Sequence, residues 1–364
     1  MPRVPGAQGQ RGDGSGREAG IDPVCHTLVG AALARSGLGQ RTALGTATLL
    51  IGANLPDLDV LAYLDGPAAD LAFRRGWTHG IPALVVLPFL LTGAIVGLDR
   101  IVRRMGRAVL PSGVVPREVL RLAAVAILTH PILDTLNTYG VRWLMPIRGD
   151  WVYGDALFIV DPWLWLVLAI GVLASRGGRS VRGFRPAGGR PARIALAVGV
   201  AYVAAMAASS VAARSIARRE IEALGGAPIE RLMVGPRPLT PLVRQVVAAQ
   251  GERYQVGTFR WLPRPHVEGL RSFPRPRPDD PVLAAARATP LGRRFLGWAR
   301  FPTVLVEPQD GGARVHLIDL RYADRPGAGF GSVTVALATP PPASAPPPRS
   351  SEPSTPAGPA ARPR

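Results

Sequence analysis

Hydrophobic residues crowd residues 24 to 213 of this 364-residue chain and thin out afterwards. Within the apolar part the length of each run decides what it can do, because crossing about 30 Å of hydrocarbon takes about 20 helical residues. Pro23–Ala34 and Thr42–Asn54 predict apolar helices too short to span, joined by Arg35, Gly37, Gly39 and Arg41. A re-entrant pair and a pair of buried core helices both suit them. Ile81–Leu98, an uncharged run of 18, and Ile194–Ala213, an uncharged run of 20, are long enough to cross. Val119–Leu133 is apolar apart from Arg121, and Leu157–Ser175 apart from Asp161. Beyond Ala213 charge is scattered, prolines are frequent, and Tyr254–Leu262, Thr303–Glu307, Arg314–Tyr322 and Ser332–Leu337 alternate as strands do. The pattern predicts a mainly α membrane domain over 23–213, a helical bundle with half-spans and about four spanning helices, followed by a small α+β domain over 214–338. Residues 1–22, polar and without an apolar h-region, predict a disordered N-terminus rather than a cleavable signal peptide. The Pro/Ala/Ser-rich stretch 339–364 predicts a disordered tail.

Composition sharpens this reading. Hydrophobic residues make up 47% and charged residues only 19%, a rich balance for a soluble chain. The net charge is +18 and every basic residue is arginine, a usage that suits a GC-rich bacterial genome. Much of that arginine lies in loops between apolar runs, at 35–41, 100–107, 117–121 and 176–193. If the segments alternate, these loops share one side, which the positive-inside rule assigns to the cytoplasm. A nucleic-acid partner is disfavoured, since the arginines form no aromatic-interleaved motif. The single cysteine, Cys25, excludes an internal disulfide framework and a cysteine-rich zinc site.

Candidate chemistry lies at the edges of the apolar runs. His26, Asp57, Asp59, His79, His130, Asp134 and Asp161 all fall near the face opposite the arginine loops, as does Asp155. Imidazole and carboxylate are ligands of zinc, manganese and iron, and an unpaired polar group is costly at such depth. His130 and Asp134, spaced i, i+4, share a helix face and form a two-ligand clip or a structural hydrogen-bonded pair. In Pro56-Asp57-Leu58-Asp59 both carboxylates reach one ion, or one ligates while the other orients a histidine. Helix capping is the plain alternative there, and for Asp161 as well. Arg74 and Arg75 either hold an anionic substrate group or anchor at the headgroups.

With Arg75-Gly76-x-Thr78-His79, His130-x3-Asp134, Asn137-Thr138-Tyr139-Gly140 and Phe158-Ile159-Val160-Asp161-Pro162 added to His26 and Pro56-Asp57-Leu58-Asp59, the chain resembles the YdjM-like family. Members are inferred to be bacterial membrane-bound metal-dependent hydrolases, and the resemblance covers roughly residues 23 to 175. The ligand order is also similar to that of the zinc-dependent phospholipase C and P1 nuclease group. This chain lacks that group's further histidine and His-x3-Glu. The resemblances imply a multi-pass protein of the bacterial cytoplasmic (inner) membrane. Its divalent metal, zinc before manganese or iron, would sit at the extracytoplasmic face on His26, Asp57, Asp59, His79, His130, Asp134 and Asp161. They imply hydrolysis of a phosphoester or lipid-like substrate by metal-activated water, with Asp57 or Asp59 as general base and Arg74 and Arg75 on the substrate. The alternative is a non-enzymatic membrane protein, a transporter or scaffold, whose polar cluster is structural or lines an ion path.

Overall fold

The computed structural model describes residues 22–106, 113–176, 179–180, 183–184, 188–327 and 330–338. The N-terminal stretch 1–21 and the tail 339–364 lie outside the described residues, as do Arg107, Arg182 and Arg185 of the arginine loops.

The helices begin where proline and a polar cap coincide. Helix α1 (Pro23–Arg35) has Pro23 in its first turn and Asp22 as its cap, accepting from Cys25 N at 2.9 Å. A 3-10 turn (Leu38–Gln40) leads to α2 (Gly45–Asn54). Leu55–Asp65 then continues as 3-10 helix beyond Pro56, so the apolar helical stretch does not stop at Asn54. Together, Gly45–Asp65 is 21 residues of span-like hydropathy where a half-span was expected. Helices α3 (Pro67–Phe73), α4 (Ile81–Arg104), α5 (Pro116–Thr135) and α6 (Pro162–Ala174) follow. A two-residue hairpin, β1 (Arg179–Ser180) with β2 (Gly183–Phe184), precedes α7 (Arg190–Ala223). Among the described residues three helical stretches are long and apolar enough to cross a membrane: Gly45–Asp65, Ile81–Arg104 and Arg190–Ala223.

Small residues let these helices approach closely, the usual device where lipid removes the hydrophobic drive between them. A Cβ on Gly30 of α1 would lie 2.8 Å from Leu49 O and 3.1 Å from Ala53 Cβ of α2. Helix α5 packs on α2 through Leu122 and Ala126, and on α4 through Val119, Ala123 and Ile127. The outward faces are apolar: Phe89 and Leu90 of α4 and Val200 of α7 are more than 60% exposed. Such a surface is expensive in water and suits lipid. The arginine-bearing helix ends gather at one end of the bundle, where Val115 N donates to Thr42 Oγ1 at 2.7 Å and Ala192 N to Ser175 Oγ at 2.9 Å. The start of α1, the end of α2, the start of α4, the end of α5 and the start of α6 form the other.

The remainder holds two antiparallel sheets. Strands β3 (Ile229–Arg237), β4 (Thr240–Gln250), β5 (Arg253–Arg260) and β6 (His266–Pro274) pair in chain order. Helices α8 (Pro281–Ala288) and α9 (Pro290–Trp298) lead to the sheet of β7 (Pro302–Gln309), β8 (Gly312–Asp319) and β9 (Ser332–Leu337). Strands β5, β7, β8 and β9 fall on the four alternating runs. Helix α7 continues unbroken past Ala213, and its Ala213, Ala217 and Ile221 pack against Ile229, Val246 and Phe259 of the first sheet. The second sheet and α9 close over Tyr139, from the loop after α5, with Phe295, Trp298 and Leu317 in one core.

Candidate metal centre

Three segments bring four ligand-type side chains to the end of the bundle away from the arginines. Helix α5 presents His130 and Asp134 one turn apart on its buried face. The connection after α2 supplies Asp57, and the residue before Gly80, where α4 begins, is His79. One ligand atom from each of Asp57, His79, His130 and Asp134 lies within 4.8 Å of all the others.

The hydrogen bonds fix which atoms face inward. His130 Nδ1 lies 2.7 Å from the Ala53 carbonyl, which can only accept, so Nδ1 carries a proton and the neutral ring presents its lone pair at Nε2. On His79, Nδ1 lies 3.0 Å from Thr78 Oγ1 and 3.3 Å from Asp59 Oδ2, while Thr78 Oγ1 donates to Asp59 at 3.1 Å. Asp59 also accepts from Arg75 N at 2.6 Å. Asp59 thus holds the His79 ring with its Nε2 turned towards Asp134.

His79 Nε2 stands 3.3 Å from Asp134 Oδ2, His130 Nε2 is 3.5 Å from that oxygen, and His130 Nε2 is 3.4 Å from Asp57 Oδ1. These separations are long for hydrogen bonds, which run about 2.7–3.2 Å. They match the donor–donor edge of a tetrahedral ion, about 3.3–3.4 Å for ligand bonds of about 2.0–2.1 Å. His79 Nε2, His130 Nε2, Asp134 Oδ2 and Asp57 Oδ2 are all buried without a hydrogen-bond partner. Buried polar atoms are rarely left so, and four of them converging fit a divalent cation.

The other expected residues surround this group. His26 stacks on His130 with ring centroids 3.7 Å apart and meets Asp134 Oδ1 at 3.5 Å, on the side away from His79. It lines a cavity of about 20 Å³, enough for one water, together with Asp22, Cys25, Asn137 and Asp161. Asp161 is placed outside the four-residue group: it caps α6, accepting from Trp163 N and Leu164 N, and takes the Tyr202 hydroxyl. Arg74 turns away from the centre to a bidentate pair with Asp70. Arg75 turns inward, its Nη2 3.0 Å from Asp134 and its Nη1 3.0 Å from Asn137 Oδ1. Its backbone has φ of 51°, an uncommon conformation for a side-chain-bearing residue, which the Asp59 and Asp134 contacts hold in place. Asp155 ties elements together, pairing with Arg300 at 2.8 Å and Arg214 at 3.2 Å.

Sequence reasoning missed several supports of the site. The Ala53 carbonyl carries no side-chain signal at all. Arg321 donates to Thr138 O at 2.6 Å and pairs with Asp319 at 2.7 Å, both side chains being fully buried. Burial works against the Arg321 charge, but Asp319 holds its pKa above the ordinary guanidinium value. Tyr322 donates to Thr138 Oγ1, and burial raises its pKa. An Arg two residues from an Asp on an alternating run was the available signal.

Among curated proteins the chain is similar to the uncharacterized protein YfhP of Bacillus subtilis (strain 168), 23% identical over 322 residues, covering 84% of this chain and 88% of that protein. No solved structure matches. These comparisons give no support to the likeness with the zinc-dependent phospholipase C and P1 nuclease group. The model of the family described as YdjM inner membrane protein matches residues 21–215, more than half of the chain and all of the candidate centre. The chain therefore belongs to the YdjM inner membrane protein family.

Proposed function

We propose that the protein is a multi-pass membrane hydrolase that uses a divalent metal, zinc before manganese or iron, on a phosphoester or lipid-like substrate. The convergence of Asp57, His79, His130 and Asp134, with one ligand atom of each within 4.8 Å of the others and three separations of 3.3–3.5 Å, carries this reading. Asp57, His79, His130 and Asp134 would hold the ion, and its chemistry would be Lewis acidity together with acidification of a bound water. The residues around it have separate tasks. Ala53 and Asp59 keep both histidines in the tautomer that binds through Nε2, and Arg75 offsets part of the carboxylate charge while fixing Asp134. His26 lines the small cavity beside Asp134, within reach of a proton there.

About four helices would cross the bilayer, with the arginine-bearing ends in the cytoplasm and the centre at the extracytoplasmic face. A transporter would have polar groups strung across the bundle, whereas these gather at one end; a scaffold with a purely structural cluster would hold no metal. Metal analysis of the detergent-purified protein beside His130→Ala and Asp134→Ala tests the proposal. Stoichiometric metal, lost in both variants, is expected and would justify a screen of lipid phosphoesters. A wild-type protein that takes up no zinc, manganese or iron even after reconstitution would refute it.

A further inference from the structure

A second feature lies on the far side of the turn that carries Arg75. Between the loop after α5 and helix α9 opens a cavity of about 450 Å³, walled by Phe73, Trp77 and Trp151 and faced by Arg142, Arg293 and Arg294. Among the described residues no acidic residue lines it. Arg142 is 7% exposed, stacks its guanidinium 4.6 Å from the Trp151 ring centroid, and leaves Nε without a hydrogen-bond partner. Its Nη2 donates to Ala72 O and Arg74 O, both at 2.8 Å, which fixes the group in place. Arg293 donates to the carbonyls of Arg287 and Ala288, at 3.5 and 3.2 Å. None of the three arginines forms an ion pair among the described residues. Burial lowers the Arg142 pKa, and the positive charge of Arg294 adds to that effect.

Three arginines lining an aromatic-walled cavity, with no carboxylate among its described lining residues, suit an anion, and guanidinium geometry suits phosphate best. Its position selects the source of that phosphate. Trp77 stands just before α4, whose lipid-facing side begins with Ile81, and Ile147 beside the cavity is 85% exposed. Trp at the end of a spanning helix marks the headgroup level of a bilayer, where guanidinium groups can pair with the phosphate of a headgroup. We infer that this cavity binds the phosphate headgroup of an anionic membrane lipid, with its acyl chains along the exposed apolar edge. The binding does not rest on the hydrolase reading, because none of the four metal-ligand candidates lines the cavity.

The test uses the full chain in detergent and native mass spectrometry with added dioleoyl phosphatidic acid, dioleoyl phosphatidylcholine or inorganic phosphate. Arg293 and Arg294 are exposed, so Arg293→Glu with Arg294→Glu spares the fold, and Arg264→Glu with Arg325→Glu, two exposed loop positions away from the cavity, controls for net charge. One phosphatidic acid should be retained at a concentration at least tenfold below that needed for phosphatidylcholine. The double variant should lose at least tenfold and the control should not. Equal retention of the two lipids, or no effect of the double variant, overturns the inference. Displacement of the lipid by equimolar inorganic phosphate overturns the lipid source. Loss of binding in Asp134→Ala with the double variant unaffected would place the lipid at the metal centre and overturn the separate pocket.

Discussion

Asp59 is the sharpest test of how the centre is built, because it touches a ligand without joining the four-residue group. Its carboxylate accepts from Arg75 N at 2.6 Å and Thr78 Oγ1 at 3.1 Å and lies 3.3 Å from His79 Nδ1. Asp59→Asn keeps the shape and an oxygen for the Arg75 amide but removes the charge that keeps the proton on His79 Nδ1 and strengthens Nε2 as a donor. Loss of such an outer partner typically costs 10–100-fold in metal affinity, about 1.4–2.7 kcal/mol by the usual conversion. His79→Ala, which deletes a ligand, should cost more. Zinc affinity measured by competition with a chromogenic chelator separates the two, and a thermal melt of the metal-free proteins checks that both fold. Wild-type affinity in Asp59→Asn would refute the orienting role. A loss equal to that of His79→Ala would make Asp59 a ligand in its own right.

Two further substitutions probe residues whose type fits more than one role. Asp161→Ala should lower the melting temperature through loss of a helix cap, about 1 kcal/mol, and leave the metal content unchanged; metal loss would return Asp161 to the ligand set. Arg321→Ala strands the buried Asp319 carboxylate and frees Thr138 O, a change that costs about 3–5 kcal/mol and should show as a large drop in thermal stability; an unaltered melt would mean the pair is dispensable.

The centre was legible because polar residues at the ends of long apolar runs have few reasons to be there. His26, Asp57, Asp59, His79, His130, Asp134 and Asp161 stood out by that argument, and the structure brings four of them, Asp57, His79, His130 and Asp134, together. What stayed hidden was the division of labour. A carboxylate that caps a helix and one that ligates an ion occupy the same place in a sequence, so Asp161 could not be told from Asp57. Arg74 and Arg75 are adjacent and chemically identical. Only the left-handed backbone at Arg75 sends one to Asp134 and the other to Asp70. The first sheet was harder to read for a similar reason. Strand β3 contains Gly235-Pro236 and β4 begins Thr240-Pro241, punctuation that signals loops, yet the β3–β4 ladder includes Gly235, Pro236 and Thr240, with a register shift after Pro236.

The C-terminal half supports the centre although it contributes none of the four ligand candidates. Helix α7 is 34 residues long, about 51 Å at 1.5 Å per residue, which exceeds a bilayer core. Its last turns form one face of the first sheet's core, so that sheet packs directly onto the end of the bundle's longest helix. From there contacts run back to the ligand candidates. Arg321 holds Thr138 O, Asn137 next to it accepts from Arg75, and Arg75 reaches Asp134. Trp298 Nε1 donates to Tyr139 O, and the Arg75 guanidinium lies 4.7 Å from the centre of the Tyr139 ring. Ordering a backbone residue costs about 1–2 kcal/mol, and the loop after α5 has no regular structure of its own to offset that cost. Packing that loop into the core of the second sheet is what keeps Arg75 and Asp134 fixed. The C-terminal half is thus part of the site's scaffold, not an appendage carried by the membrane half.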